Sequence, residues 1–196
     1  MVTRSRGRLR EARSAYRLFV EGRTEEIYFR ELRQYYRIGL EVQRVRNTDP
    51  LQIVKLARRW MDAERGNSPV AVWCVFDQEG QHQRETFTHA LNLAARHGIR
   101  LAVSNPCFEF WFLLHFEHTT RSFADCREVG QSLSRYWANY RKAQPGVISQ
   151  LADHVHAARG RAGTLRQISA AGAGWANPMT DVDLLVCELL RASRRR

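Results

Sequence analysis

Residues 70–76 read VAVWCVF, seven positions without a charge. A strand with one wet face alternates apolar and polar side chains. A strand covered on both faces does not, and it occurs mostly at the centre of parallel sheets flanked by helices. The turn residues Asn67-Ser68-Pro69 precede the run, and Asp77-Gln78-Glu79-Gly80 ends it abruptly. This one segment directs the chain towards an α/β architecture and leaves a question: why two acids, one residue apart, finish a buried strand.

The flanking sequence supplies the other layers. YRLFV at 16–20 predicts a first strand, stopping at Glu21-Gly22. Thr24 is placed to cap a helix whose first turn holds Glu25 and Glu26, favourable at the positive end of the dipole. The apolar stripe of that helix reads as Ile27, Leu32 and Tyr35–Tyr36. Leu40–Val45 alternates as a half-buried strand does. After Asp49-Pro50, residues Leu51, Ile53, Val54, Leu56, Ala57 and Trp60 form a helical apolar face. A helix over 84–97 ends at Gly98, and Ile99–Val103 gives a fourth strand, followed by the dense apolar segment PCFEFWFLLHF. Strands alternating with helices predict a largely parallel sheet flanked by helices.

The expected organisation is a basic segment at 1–14, an α/β core at 15–117, a helical insertion or cap at 118–176, and a C-terminal helix with a basic tail at 177–196. Within the cap, helices are expected near 125–142 and 147–158, then a Gly/Ala-rich loop near 160–176. Asn177-Pro178-Met179-Thr180 reads as the opening of the last helix.

Of 196 residues, 31 are Lys or Arg and 20 are Asp or Glu, a formal charge of +11. Such a surface attracts nucleic acid through its phosphates. Arg bias is also a product of genome composition, since only Lys55 and Lys142 are lysines. No apolar stretch approaches the roughly 20 residues of a membrane helix, and the basic N-terminus lacks a signal-peptide core. A cytoplasmic protein without membrane association is the expectation. Cys74, Cys107, Cys126 and Cys187 are widely spaced with no CxxC pair. They read as free buried thiols, neither a disulfide framework nor a zinc site.

Ligands of open α/β sheets bind beyond the carboxyl ends of the strands. Glu21 follows the first strand, Asp77 and Glu79 the third, and Glu109 lies one turn beyond the fourth. In a parallel sheet these acids share one rim. Repulsion between Asp77 and Glu79 would be relieved by a divalent cation, and oxygen donors favour Mg²⁺ or Mn²⁺. The structural alternative is that Asp77 caps a loop and Glu79 is solvated.

The pairing of a strand-ending Glu-Gly (Val20-Glu21-Gly22) with a strand-ending acidic pair (Phe76-Asp77-Gln78-Glu79) resembles the TOPRIM fold of topoisomerases, primases and nucleases. Four ordered blocks, VEGRTEEIYFREL, VFDQEG, SNPCFEFWFLLHF and NPMTDVDLLV, resemble the RloB-like family along nearly the whole chain. The resemblance implies a metal-dependent endonuclease acting on RNA, tRNA among the candidates, or DNA, as effector of a bacterial anti-phage defence. Asp77, Glu79, Glu21 and Glu109 would be the catalytic, metal-holding acids. Arg23 would neutralise substrate phosphate, and His115, otherwise a core histidine, is a weaker candidate for proton transfer. The implied partner is an ATPase. This chain has no GxxxxGK[ST] sequence, so that ATPase would be a separate polypeptide. Homo-oligomerisation stays open. The alternative function is a catalytically inactive module for binding nucleic acid or docking the ATPase.

The TOPRIM pattern carries Asp where this chain has Glu79. If charge is the requirement at that position, Glu79→Asp will retain more metal-dependent cleavage than Glu79→Gln. Equal loss in both variants would make side-chain length the requirement.

Overall fold

A computed structural model describes residues 15–46, 49–64, 71–78, 84–170 and 176–193. Five strands form one sheet in the order β2-β1-β3-β4-β5. These are β1 (Tyr16–Val20), β2 (Leu40–Arg44), β3 (Ala71–Asp77), β4 (Arg100–Asn105) and β5 (Met179–Thr180). The first four are mutually parallel, whereas β5 runs antiparallel to β4. Helices α2 (Pro50–Ala63) and α3 (Arg84–His97) cover one face. The other face carries α1 (Arg23–Tyr35), α4 (Glu109–Leu113), α5 (Cys126–Leu133), α6 (Val147–Leu151), α7 (Val155–Ala170) and α8 (Val182–Ser193). The expected α/β class with a largely parallel central sheet is the one observed.

Strand β3 explains the layering. Val72, Cys74 and Phe76 pack towards α2 and α3, while Trp73 and Val75 pack towards α1 and α4. A two-residue side-chain period divides the apolar run between two cores. The same parity assigns Asp77 to the face of Trp73 and Val75. Both cores are dry: Phe19, Phe76, Phe110, Trp111 and Phe112 are fully buried, each contributing about 1.5–3 kcal/mol of apolar transfer.

Several local expectations need correction. Helix α1 is capped by Gly22 rather than Thr24. Its buried residues are Thr24, Glu25, Glu26, Tyr28, Phe29 and the expected Leu32, with Ile27 and Tyr36 partly buried against the core, while Tyr35 is 59% exposed. The apolar stripe is thus rotated, because the aromatics Tyr28 and Phe29 dock on Phe108. The Gly/Ala-rich stretch expected as a loop from 160 is helical through Ala170. Gly160 and Gly163 lie inside α7; residues 171–175 of that expected loop lie outside the described residues. Helix also ends early in the segment expected at 125–142, since α5 stops at Leu133. Residues 179–180 pair as β5 before α8 begins. Nor are all four cysteines free: Cys107 and Cys126 are joined by a disulfide, with Cα atoms 5.6 Å apart. Their 19-residue separation carries no pairing signal; the pair meets because α5 folds back onto α4.

The helical segment at 118–176 contributes to the main core. Phe123, Val129, Leu133, Ile148, Leu151, Val155, Ala158 and Leu165 join the cluster of β1, α1 and α4. Polar clamps fix its ends. Asn177 brackets the backbone of Phe123, accepting from its N–H at 3.1 Å and donating to its carbonyl at 2.7 Å. Glu31 of α1 accepts from the N–H groups of Gly146 and Ile148 at 2.6 and 3.0 Å. Gly146 itself sits at φ 81°, a conformation that favours glycine. Arg166 of α7 reaches Asp183 through two hydrogen bonds of 2.8 and 2.6 Å and Asp181 at 3.1 Å.

Arg166 therefore neutralises two buried carboxylates at the start of α8. Breaking such a pair leaves uncompensated buried charge, and Arg166→Ala is expected to cost about 3 kcal/mol of stability. Urea unfolding checks this; a change below about 0.5 kcal/mol, as at a surface site, would contradict it.

Candidate metal centre

The carboxyl ends of β1 and β3 are neighbours in the sheet, so the residues that follow them meet. The Glu21 carboxylate turns back over β3, and its Oε2 accepts from the Asp77 backbone N–H at 2.9 Å. The Glu21 N–H in turn donates to the Val75 carbonyl at 3.0 Å. A parallel register converts two distant sequence positions into one rim.

Two further acids join them. Glu25, one turn into α1, is 4% exposed, and Glu109, at the start of α4, is 2% exposed. Asp77 is pushed well above the ordinary carboxylate range, first by burial, then by the charges of Glu25, Glu21 and Glu109. Glu25 is raised from 4.5 to about 8; burial dominates, Glu109 and Glu21 add to it, and a local backbone hydrogen bond and Lys142 oppose it. Asp77 Oδ1 is shielded from solvent and has no hydrogen-bond partner among the described residues. Gly22 makes room for this arrangement. A Cβ there would lie 2.5 Å from Glu25 Oε2, so the carboxylate occupies the space a side chain would fill.

Glu109 is the best supported of the acids. Thr24 Oγ1 donates to its Oε1 at 3.2 Å and the Tyr140 hydroxyl at 3.4 Å, while Lys142 Nζ lies 3.7 Å away. Tyr140 stands edge-on to Phe112 at 6.0 Å. Thr24, expected as a helix cap, thus serves the rim. Glu25, Tyr140 and Lys142 were missed as site residues. The signal for Glu25 was its spacing, four residues beyond Glu21 and on the α1 face of Tyr28 and Phe29. Nothing local marks Tyr140 or Lys142, which arrive from a segment anchored by Glu31.

The other candidates are Glu79, Arg23 and His115. Glu79 falls outside the described residues. Arg23 is exposed and donates to Glu26 Oε2 at 2.6 Å. It lines a pocket of about 400 Å³ with Glu21, Gly22, Arg44, Val45 and Arg46, beside the acids. Glu26 pairs with Arg23, Arg30 and Arg44. His115 is buried in contact with Trp111, its Nδ1 2.9 Å from the Trp111 carbonyl oxygen. Burial is the first cause that lowers it to about 3, which keeps it neutral near pH 7. The groups that bear on its charge are His154, Arg161 and the backbone of Trp111 and Phe112, and none is a rim acid.

A parallel sheet in this order, with acids gathered beyond its first and third strands, has a TOPRIM-like architecture. The model of the family described as RloB-like protein matches residues 16–189, most of the chain. The chain belongs to that family. No curated protein and no solved structure matched it. Among the described residues no helix is long and apolar enough to cross a membrane.

The raised Glu25 has a consequence for stability. Between about pH 4.5 and 8 the folded state keeps a proton that the unfolded chain has released. Stability of the metal-free protein should therefore fall as pH rises through that window. Glu25→Gln should flatten the slope and raise stability at pH 8 by about 1–2 kcal/mol, a Tm gain of about 2–8 °C. Thermal melts across the window check this, and an unchanged slope would place the proton elsewhere.

Proposed function

We propose that this protein is a metal-dependent nuclease that hydrolyses phosphodiester bonds at the rim formed by Glu21, Glu25, Asp77 and Glu109. The observation that carries the reading is the buried Asp77 Oδ1, without a hydrogen-bond partner among the described residues and amid three other carboxylates that raise its proton affinity. Buried polar atoms are rarely left unsatisfied, and an ion among acids is one way to satisfy this one. Oxygen donors favour Mg²⁺ or Mn²⁺; among the described residues no three rim acids hold their oxygens within 4.8 Å of one another, so a bound ion would have to draw them closer.

Asp77 and Glu21 are the principal ligands in this reading, with Glu79 as the third. A bound Mg²⁺ would supply charge stabilisation at the phosphate and acidify the attacking water. Glu25, whose proton affinity burial and the charges of Glu109 and Glu21 raise in the metal-free protein, suits proton donation to the leaving oxygen. Glu109 orients the rim through Thr24, Tyr140 and Lys142. Arg23, Arg44 and Arg46 line the adjoining pocket and suit a polyanionic strand, since guanidinium groups match phosphate oxygens in geometry and charge.

The biological role follows the family resemblance: a cytoplasmic effector of bacterial anti-phage defence, controlled by a separate ATPase, with RNA (tRNA included) or DNA as substrate. A second reading is a non-catalytic module that binds nucleic acid or docks the ATPase. One observation favours it: Glu109 is already neutralised in part by Lys142.

Cleavage of plasmid DNA and total tRNA with Mg²⁺ or Mn²⁺ tests the proposal, with and without the partner ATPase. Wild type should cleave, and Glu21→Ala and Asp77→Ala should each lower the rate at least ~100-fold. Absence of any cleavage that these substitutions abolish would replace the nuclease by the binding module. In that case nucleic-acid affinity would survive Asp77→Ala and fall steeply with salt.

A further inference from the structure

Next to the oxygen-rich rim lies a donor set of different character. Cys107 Sγ, a Glu109 carboxylate oxygen and Cys126 Sγ lie within 4.8 Å of one another. It is the one such set of three Cys, His, Asp or Glu ligands found among the described residues. We propose that the dithiol form of the protein binds one Zn²⁺ at Cys107, Cys126 and Glu109, and that the disulfide and the zinc-bound state exclude each other.

The chemistry of the donors selects the ion. Two thiolates and a carboxylate suit borderline-soft Zn²⁺, whereas Mg²⁺ takes oxygen ligands. The three groups already adjoin. Cys126 Sγ lies 3.1 Å from Glu109 Oε2, somewhat inside the ~3.5 Å span between two ligands of a tetrahedral zinc with bonds of about 2.0–2.3 Å, and the two sulfurs, bonded to each other here, would move apart on reduction to admit the ion. Because Cys126 is sulfur-bonded to Cys107 here, that contact is not a thiol hydrogen bond.

The scaffold holds all three groups in place. Cys107 and Glu109 are fully buried beside β4 and α4. Cys126 is the first residue of α5, whose start is fixed by reciprocal capping. Asp125 Oδ1 accepts from the Glu128 N–H at 2.9 Å, and Glu128 Oε2 from the Ala124 N–H at 2.7 Å. Cys126 is half-buried, which leaves a fourth position open to water. Lys142 Nζ lies 4.0 Å from Cys126 Sγ, a position that favours the thiolate once the disulfide is reduced. Its side chain is 68% exposed.

The steps balance. Two molecules of a small thiol reduce the Cys107–Cys126 bond by exchange, giving two protein thiols and one small-molecule disulfide. Zinc binding then releases the two thiol protons. Reoxidation by a small-molecule disulfide reverses the sequence and expels the ion, because disulfide sulfurs carry no charge to ligate it.

Reduced wild-type protein, freed of reductant without oxygen, is titrated with Zn²⁺ against a chromophoric chelator and with Co²⁺ in parallel. One equivalent should bind, with a thiolate-to-cobalt charge-transfer band. Both signals should vanish in Cys107→Ser, in Cys126→Ser, and on treatment with oxidised glutathione. Cys126→Ser, at the half-buried position, keeps the test valid if the buried Cys107 variant fails to fold. Glu109→Gln should keep the band and weaken affinity roughly 10–100-fold, the scale set by loss of a supporting ligand interaction. Asp77→Ala should keep both signals, which separates this site from the rim and leaves the nuclease proposal standing or falling by its own assay. Absence of the band in reduced wild type, its survival in Cys126→Ser, or its loss only on Cys187→Ser would overturn the proposal.

Discussion

Like charges packed out of water are the constraint on which this structure turns. Burial and neighbouring acids drive Asp77 and Glu25 towards their protonated forms. A fold optimised for stability alone would place apolar groups there, because burying a carboxylate without a partner is costly. The strands beneath the cluster hold it in place. Strand β3 is pinned on both sides by β1 and β4, and Glu21 is tied to the β3 backbone by its own carboxylate.

The supporting parts come from three separate stretches of chain. Gly22 yields the space that Glu25 occupies. Thr24 spends its hydroxyl on Glu109 instead of capping α1. Tyr140 and Lys142 reach the same carboxylate from the helical segment, whose return to the core is fixed by Glu31 at the head of α6. That segment joins the main core and completes the rim, which explains why its apolar residues face α1 and α4 and do not form a core of their own.

Much of the fold was legible in the sequence because its signals are local. An uninterrupted apolar run between turn residues gives a central strand, and alternation with amphipathic stretches gives parallel β-α units. The misread parts share a physical cause. The apolar stripe of α1 reads as Ile27, Leu32 and Tyr35–Tyr36, which leaves Glu25 only its favourable place in the helix dipole. Phe108, eighty residues downstream of Tyr28, decides the true face. Gly160 and Gly163 suggested a loop, yet the packing of Ala158, Ala162 and Leu165 against the core outweighs the modest cost of glycine in a helix. A two-residue strand such as β5 has no period to read.

The chain itself determined that acids would follow buried strands, since the identity and order of Glu21, Asp77 and Glu109 are properties of the sequence. It also determined the sheet's parallel sense, through the helices between the strands. Only the tertiary structure decided which acids meet and what stands beside them. Strand register set Glu21 against Asp77, helix rotation turned Glu25 inward, and the fold-back of α5 joined Cys107 to Cys126 next to Glu109. These outcomes depend on packing between distant segments, where one residue of register or a fraction of a helical turn moves a charge from water into the interior.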